Sequence, residues 1–470
     1  MNAIDLCFMP ATELARAIRD KEISAVQAVE TVLDRIAAIN PSINAIVTVT
    51  EDLARTAARD VEKRIDRGEP VGPLAGVPVT IKDLIMVKGV RTTWGSRIFE
   101  RFIAPEDAPA VERLRAAGAV IVGMTNSPEF GYRATTDNPV FGETRNPWSL
   151  EHTPGGSTGG GAAAVAAGMG QLTLGTDAGG SIRIPASCCG IFGFKPTLGR
   201  VPAAPVYGGL ETLAHTGPMT RTVRDAALAM SVIAGPDPRD IGSLPNDGTD
   251  WLAAPDGGIA ALRVAWTPDW GYAPVDPDVL NITESAVRRL SASGASIDVA
   301  SPRFKDPSEP FNTLFPAFVA ARLEGYLAEW RTRMDPGLVK YIEMGRRPSA
   351  VEFVQAGNVR RTLNDAFRDF FRTYDLLLTP TLAAPPLSLG RHFYEEIAGK
   401  RVGPTGWLAF TFPINMVGYP AATVPAGWTA AGLPVGLQII GPRFADALVL
   451  RAAAAFEAAQ PWADRRPPLS

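Results

Sequence analysis

The chain has 470 residues, 46% of them hydrophobic, and its 46 Lys and Arg nearly balance 49 Asp and Glu, for a formal net charge of -3. This length suffices for a large buried core, and the absence of a basic run argues against nucleic acid as the main partner. The N-terminus has no basic stretch typical of a signal peptide, and no apolar stretch is long enough to span a bilayer, so we expect a cytoplasmic protein without a membrane partner.

Helix and strand patterns alternate along the first half of the chain. Ser24 and Gln27 have the spacing of a capping box, an apolar stripe follows, and Asn40-Pro41 predicts the end of that helix. Amphipathic patterns predict two more helices at about 51–68 and 108–118. Short apolar runs predict strands at 77–81, 119–122, 172–174 and 191–194.

The second half has longer loops. Residues 235–258 are rich in Pro, Gly and Asp and predict a loop. Helices are predicted at about 276–293, 312–333, 351–372 and 445–459. Strands are predicted at 263–266, 375–378, 422–425 and 436–440.

Strands separated by helices predict an α/β fold. We expect a single large domain with a mixed, mostly parallel β-sheet core covered by helices on both faces. Within the domain 1–470 we distinguish an N-terminal helical segment (1–70) and a core segment (71–235). A variable segment with substrate-side helices and loops (236–405) and a C-terminal return to the core (406–470) follow.

Cysteine usage predicts neither disulfides nor a metal site. The chain has Cys7, Cys188 and Cys189, with no CxxC motif and no His-rich spacing nearby. Reduced, buried thiols are the expected state.

Two glycine-flanked serines are the main chemical signal. Ser157 lies in Gly-Gly-Ser-Thr-Gly-Gly and Ser181 in Asp-Ala-Gly-Gly-Ser-Ile-Arg. Glycine permits unusual backbone angles and leaves N–H groups uncovered, as an oxyanion hole requires. A flexible linker is disfavoured, because a helix-forming run at 162–167 and a strand pattern follow the first serine.

An α/β-hydrolase esterase is one alternative, because residues 155–159 match its G-x-S-x-G motif. That motif should directly follow a strand, whereas residues 145–154 are polar and contain two prolines. The triad also needs a histidine later in the chain. His215 and His392 are formal candidates, but neither has a sequence context that marks it.

Further motifs extend the pattern around the serines. They are Gly-Val-Pro-Val-Thr-Ile-Lys-Asp at 76–83, Asn-Pro-Val-Phe-Gly at 138–142, Thr-Arg-Asn-Pro-Trp at 144–148, Gly-Pro-Met-Thr-Arg at 217–221 and Gly-Leu-Pro-Val-Gly-Leu-Gln-Ile-Ile-Gly at 432–441. With the serine segment, they closely resemble the amidase signature family. The resemblance covers most of the chain and is weakest over 237–375. It implies the amidase signature fold and a serine amidohydrolase that needs no metal or cofactor.

The resemblance also implies a catalytic triad. Ser181 matches the family's nucleophile, Ser157 its bridging serine after a cis Gly156–Ser157 bond, and Lys82 its base. A lysine can take a proton only when it is neutral, so burial must lower its pKa by several units. The apolar neighbours of Lys82 on its strand are consistent with such burial.

Residues beside the triad are assigned in the same way. The family's oxyanion hole matches the backbone N–H groups of Ala178, Gly179, Gly180 and Ser181. Thr158, Asp177 and Arg183 match positions that support the triad. For Asp177 and Arg183 we expect a structural ion pair that fixes the turn rather than a role in the reaction.

The absence of a carboxylate at one position narrows the predicted substrate class. One family branch provides the glutaminase component of tRNA-dependent amidotransferases and typically carries an aspartate just before a stretch resembling 411–415. Residues 406–410 contain no carboxylate here. We therefore predict an amidase for a small neutral aryl, aliphatic or carbamate-type amide, acting through an acyl-enzyme. The alternative is the glutaminase component of such an amidotransferase.

The sequence leaves open where the aromatic residues of the 311–330 segment lie and whether the protein forms a dimer. The aromatic residues Phe311, Phe315, Phe318, Tyr326 and Trp330 have helical spacing, which is more typical of core than of a pocket. The sequence also does not decide between a single chain and a homodimer. A catalytically inactive binding scaffold is disfavoured, because all three triad residues are present.

Overall fold

The structure, a computed structural model, describes residues 2–205, 210–292 and 294–469. Its central feature is one large mixed sheet, accompanied by two short two-stranded sheets. The strands are β1 (Ile46–Val49), β2 (Pro78–Lys82), β3 (Val120–Thr125), β4 (Asp137–Asn138), β5 (Gly142–Glu143), β6 (Leu172–Asp177), β7 (Phe192–Lys195), β8 (His215–Thr220), β9 (Arg263–Trp266), β10 (Ser296–Val299), β11 (Leu376–Pro380), β12 (Glu396–Ile397), β13 (Lys400–Arg401), β14 (Ala421–Trp428) and β15 (Pro434–Ile440).

Helices cover the large sheet. They are α1 (Ala3–Cys7), α2 (Ala11–Arg19), α3 (Ala25–Ile43), α4 (Glu51–Asp66), α5 (Pro109–Ala116), α6 (Gly159–Ala166), α7 (Arg183–Cys189), α8 (Val223–Ile233), α9 (Pro277–Ser291), α10 (Ser308–Leu323), α11 (Leu327–Trp330), α12 (Pro336–Gly345), α13 (Ala350–Phe370), α14 (Phe412–Val417) and α15 (Asp446–Ala459). None of the described helices is both long and apolar enough to cross a bilayer.

Within the described ranges, the large sheet has 11 strands in the order β1-β3-β2-β6-β8-β7-β14-β15-β11-β9-β10. Parallel pairs join β3, β2 and β6 on one side and β11, β9 and β10 on the other. Antiparallel pairs connect the strands between them. The predicted single α/β domain around one mixed sheet is confirmed.

Both faces of the sheet are buried. On β11, Leu376 and Leu378 pack in an apolar cluster with α8, α9 and α15, whereas Leu377 packs in a second cluster with α10 and α13. Successive side chains of a strand point to opposite faces, so a strand covered on both sides is apolar at every position. This explains why such strands appear in the sequence as short continuous apolar runs.

Two predicted helices differ from the structure by more than small shifts of their ends. The helix expected to end at Asn40-Pro41 continues to Ile43, where Asn44 caps it in a left-handed conformation with φ of 50°. Pro41 lies inside the helix and has no N–H to donate to the carbonyl four residues earlier, so the helix continues past it with one backbone hydrogen bond fewer. The helix expected over 312–333 is divided into α10 and α11 by a 3-10 turn containing Gly325, a poor helix former.

The structure tests one further prediction in part and leaves others untested. The helix predicted over 276–293 corresponds to α9, and its predicted last residue, Ser293, lies outside the described residues. The division of the domain into four segments and the cytoplasmic location stay predictions.

Candidate active site

The site lies where the carboxyl ends of two adjacent strands meet. Strands β2 and β6 pair in parallel, with Ile81 opposite Leu174, so Lys82 and Asp177 end neighbouring strands at the same edge. Ser157 directly precedes Thr158 at the start of α6, and Ser181 lies in the turn between β6 and α7. In open α/β sheets this edge is where ligands bind.

Lys82 is fully buried and faces two hydroxyl groups. Its Nζ donates to Ser157 Oγ at 2.7 Å and to Thr176 Oγ1 at 2.9 Å. Burial lowers the pKa of Lys82 to about 7, although the negative charge of Asp177 acts in the opposite direction. An amine with this pKa is available as a neutral base near neutral pH.

Thr176 is a site residue that the sequence reasoning missed. It precedes Asp177 at the end of β6, and its hydroxyl accepts a hydrogen bond from Lys82. Its place directly before Asp177 in the serine segment is visible in the sequence. Its contact with Lys82 is not, because that contact depends on the pairing of β2 with β6.

The two serine loops are joined through the backbone. The peptide bond between Gly156 and Ser157 is cis, and the Ser157 side chain is nearly fully buried. The N–H of Thr158 donates to the carbonyl oxygen of Ser181 at 3.1 Å, and Thr158 Oγ1 donates to the carbonyl oxygen of Thr176 at 3.2 Å. Thr158 therefore holds the Ser157 loop against the Ser181 turn.

The Ser181 turn is organised by the carboxylate of Asp177. It accepts hydrogen bonds from the N–H of Gly180 at 2.7 Å and of Ile182 at 3.1 Å. The Arg183 guanidinium forms an ion pair with it at 3.0 Å, and both side chains are completely buried. Burial alone would raise the pKa of Asp177, but Arg183 holds it well below its usual range. The contacts agree with the expected ion pair that fixes the turn.

The C-terminal segment braces the same turn. Arg183 also donates to Thr411 O at 2.9 Å, Asn415 Oδ1 at 2.6 Å and Gln438 Oε1 at 2.6 Å. Thr411 Oγ1 donates to the carbonyl oxygen of Gly179 at 2.8 Å. The sequence reasoning considered residues 411–415 only for substrate choice and missed this supporting role.

The predicted oxyanion hole needs one correction. Gly180 does not offer its N–H to the cleft, because this group donates to Asp177. A side chain is also excluded at Gly180, since φ is +129° and an added Cβ would lie 2.4 Å from Thr411 Oγ1. The N–H groups of Ala178, Gly179 and Ser181 have no acceptor among the described residues, and all three residues are partly exposed.

The histidines and cysteines lie outside this constellation. His215 is buried, with Nδ1 2.7 Å from Leu213 O, and burial lowers its pKa well below the usual range. His392 Nδ1 lies 3.0 Å from Thr135 Oγ1. Among the described residues no histidine hydrogen-bonds to Ser157 or Ser181, so the geometry does not support the esterase alternative. Cys188 and Cys189 are fully buried.

Among the described residues, the cleft beside the serines has two compartments that share Gly131, Ser181 and Phe315. The smaller, of about 120 Å³, is also lined by Ser157, Thr176 and Ala178. The larger, of about 560 Å³, is also lined by Gly179 and by mostly apolar side chains. No described residue lining either compartment is an aspartate or glutamate.

The aromatic residues of the 311–330 segment divide between cleft and core. Phe311 and Phe315 are buried members of an apolar cluster, as the core interpretation expects, and they also line the cleft, Phe311 in the larger compartment and Phe315 in both. Phe318, Tyr326 and Trp330 are partly buried and pack against the neighbouring apolar cluster. No group of His, Cys, Asp and Glu with a geometry suited to a metal ion occurs among the described residues.

Comparison with known proteins gives likenesses over nearly the whole chain. The sequence profile of the Amidase family matches residues 27–450. An acylamidase of Rhodococcus erythropolis is 42% identical over 475 residues, covering 99% of this chain and 98% of that protein. One of the subunits of the glutamyl-tRNA(Gln) amidotransferase of Geobacter sp. (strain M21) is 37% identical over 488 residues, covering 97% and 98%.

Solved structures agree with these sequence likenesses. A bacterial aryl acylamidase of the amidase signature enzymes family superimposes with a TM-score of 0.91 at 35% identity, covering 97% of each chain. A 6-aminohexanoate cyclic dimer hydrolase superimposes with a TM-score of 0.90 at 30% identity, covering 98% of this chain and 99% of the other.

Proposed function

Because the chain belongs to the amidase signature family and is a hydrolase of amide C–N bonds, we propose that it cleaves small neutral amides through an acyl-enzyme on Ser181. The observation that carries the proposal is the contact of Lys82 with Ser157. A fully buried lysine donates to a serine hydroxyl at 2.7 Å, and that serine lines the cleft together with Ser181. Aryl, aliphatic and carbamate-type amides belong to the proposed substrate class.

The proposed reaction moves protons through the two serines. Ser181 Oγ attacks the amide carbonyl and passes its proton to Ser157, which passes its own proton to neutral Lys82. The N–H groups of Ala178, Gly179 and Ser181 stabilise the tetrahedral oxyanion. The C–N bond then breaks, and the amine leaves with a proton that returns from Lys82 through Ser157. Water follows the same path to release the acid.

The proposed role of Lys82 predicts the pH dependence. Its pKa of about 7 means that the inactive ammonium dominates below pH 7 and the neutral amine above it. We expect kcat/KM to rise with pH through about 7 and to level off on the alkaline side. The profile should be measured between about pH 5 and pH 10, which extends about two units below this pKa and about three units above it.

A matched control is needed because Asp83 titrates in the same range. Burial raises its pKa to about 7, and it accepts hydrogen bonds from Thr93. Asp83→Asn keeps the shape and the acceptor oxygen, so the rising limb should persist in this variant. A flat profile in the unmodified protein, or loss of the limb in Asp83→Asn alone, would refute the assignment to Lys82.

Substrate choice is the second test of the proposal. The α-ammonium of glutamine would enter a cleft whose described lining carries no carboxylate, and desolvating an unpaired charge is costly. We expect kcat/KM for glutamine to be at least about 100-fold below that for an acyl anilide, which corresponds to about 2.7 kcal/mol. Release of ammonia and of aniline provides the comparison.

The glutaminase alternative gives the opposite result. Relatives described as subunits of glutamyl-tRNA(Gln) amidotransferases are 37% identical to this chain, so glutamine belongs in the assay. Glutamine hydrolysis as efficient as anilide hydrolysis, or co-purification with small amidotransferase subunits, would establish the alternative and overturn the proposal.

A further inference from the structure

We propose that the two compartments have separate tasks: the leaving amine occupies the smaller one and the acyl group occupies the larger one. This inference rests on the proposed function, because it follows from the path of the proton to the leaving nitrogen. We name them the amine compartment, lined by Ser157, Thr176 and Ala178, and the acyl compartment, lined by Gly179, Phe311 and Leu408.

The position of Ser157 carries the assignment. Ser157 lines the amine compartment and is absent from the lining of the acyl compartment, although Ser181 lines both. A group that protonates a leaving nitrogen must come within about 2.6–3.2 Å of it. The scissile nitrogen must therefore face the amine compartment, where its substituent is accommodated.

The geometry of the amide then directs the acyl group. The two substituents of a carbonyl carbon point away from each other, so an amine facing Ser157 leaves the acyl substituent pointing past Ser181. The acyl compartment is the one that borders Ser181 without Ser157, so it is the compartment left for that substituent. Ala178 lines the amine compartment and Gly179 the acyl compartment, so their N–H groups flank the boundary at which the carbonyl oxygen would lie.

The linings indicate the chemical class of each half of the substrate. Trp94, Phe130 and Met86 line the amine compartment, and a guanidinium from Arg322 lies over the Phe130 ring at 5.3 Å. Flat apolar walls beside a cation favour a neutral aromatic amine over a charged one. The substrate class is therefore an anilide-like amide.

The acyl compartment is larger than the amine compartment. Its volume of about 560 Å³ lies within the usual range for a pocket that encloses a drug-sized ligand, about 300–1,000 Å³. Phe311, Met344 and Leu408 give it apolar walls, and the cationic side chains of Arg133 and Lys340 form only a small part of its lining. It therefore suits an extended, mostly apolar acyl group.

Two variants test the assignment, and each is the matched control of the other. Ala214 lines only the amine compartment and Leu408 only the acyl compartment, and both side chains are partly exposed. Ala214→Leu and Leu408→Trp each narrow one compartment. Two substrate series are compared, one of anilides with acyl groups from acetyl to decanoyl and one of acetamides with amines from aniline to naphthylamine.

The expected result is a crossed pattern. Ala214→Leu should lower kcat/KM for acetylnaphthylamine by about 10-fold or more relative to acetanilide, without changing the preference for acyl length. Leu408→Trp should lower kcat/KM for decanoyl anilide to a similar extent, without changing the preference among amines.

An unchanged far-UV circular dichroism spectrum and an unchanged thermal unfolding midpoint establish that each variant is folded. The reversed pattern, an effect of both variants on the same series, or no effect on either series would overturn the assignment. If the unmodified protein hydrolyses none of these amides, the proposed function itself fails, which distinguishes the two outcomes.

Discussion

Ser181→Ala should abolish amide hydrolysis, whereas Ser157→Ala should leave a measurable fraction of it. The first change removes the proposed attacking oxygen, and losing a serine nucleophile lowers kcat by about 10⁶-fold. The second removes only the proposed relay between Ser181 and Lys82, whose Nζ lies 2.7 Å from Ser157 Oγ. Transfer through a water molecule can then replace part of the path, so we expect a loss of about 10²–10⁴-fold.

The order of the two losses is the informative quantity. Ser149→Ala is a suitable control, because Ser149 is partly buried, contacts His152 and does not line the cleft. It should retain full kcat/KM for an acyl anilide. Equal losses in Ser157→Ala and Ser181→Ala, or a greater loss in Ser157→Ala, would contradict the proposed roles.

The second large effect concerns the buried ion pair beneath the Ser181 turn. Arg183→Met would leave the Asp177 carboxylate unpaired at a fully buried site. Removing one partner of such a pair lowers the free energy of unfolding by about 3–5 kcal/mol. The turn should also lose its geometry, because Asp177 holds Gly180 and Ile182 through their N–H groups. Urea unfolding and kcat together measure both effects.

A double substitution separates charge from packing. Arg183→Met with Asp177→Asn buries no unpaired charge, so its free energy of unfolding should exceed that of Arg183→Met alone. Arg368→Met is the control, since Arg368 pairs with Asp365 at the exposed surface and should give no measurable change. If Arg183→Met had the same free energy of unfolding as the Arg368→Met control, the structural role of the pair would be refuted.

The sequence was informative where local pattern decides the structure. The apolar residues around Lys82 indicated its burial, and the glycines around the two serines marked the turns that meet at the sheet edge. Alternating strands and helices predicted the α/β domain. They did not predict the antiparallel pairing of β8, β7, β14 and β15, because pairing direction depends on how distant segments return to the sheet.

The parts of the site that were missed depend on contacts between distant segments. Thr411 reaches Gly179, and Gln438 reaches Arg183, only because the C-terminal strands enter the centre of the sheet. A contact between distant segments leaves no periodic pattern in the local sequence. The correction at Gly180 is different, since a carboxylate three residues earlier is well placed to accept its N–H.

The identity of the serine that becomes covalently modified tests the central claim most directly. The protein should be treated with a fluorophosphonate or sulfonyl fluoride probe, and the intact chain and its peptides analysed by mass spectrometry. We predict one label on the peptide containing Ser181, lost in Ser181→Ala and retained at a reduced rate in Ser157→Ala. A label on Ser157, or undiminished labelling of Ser181→Ala, would contradict the mechanism.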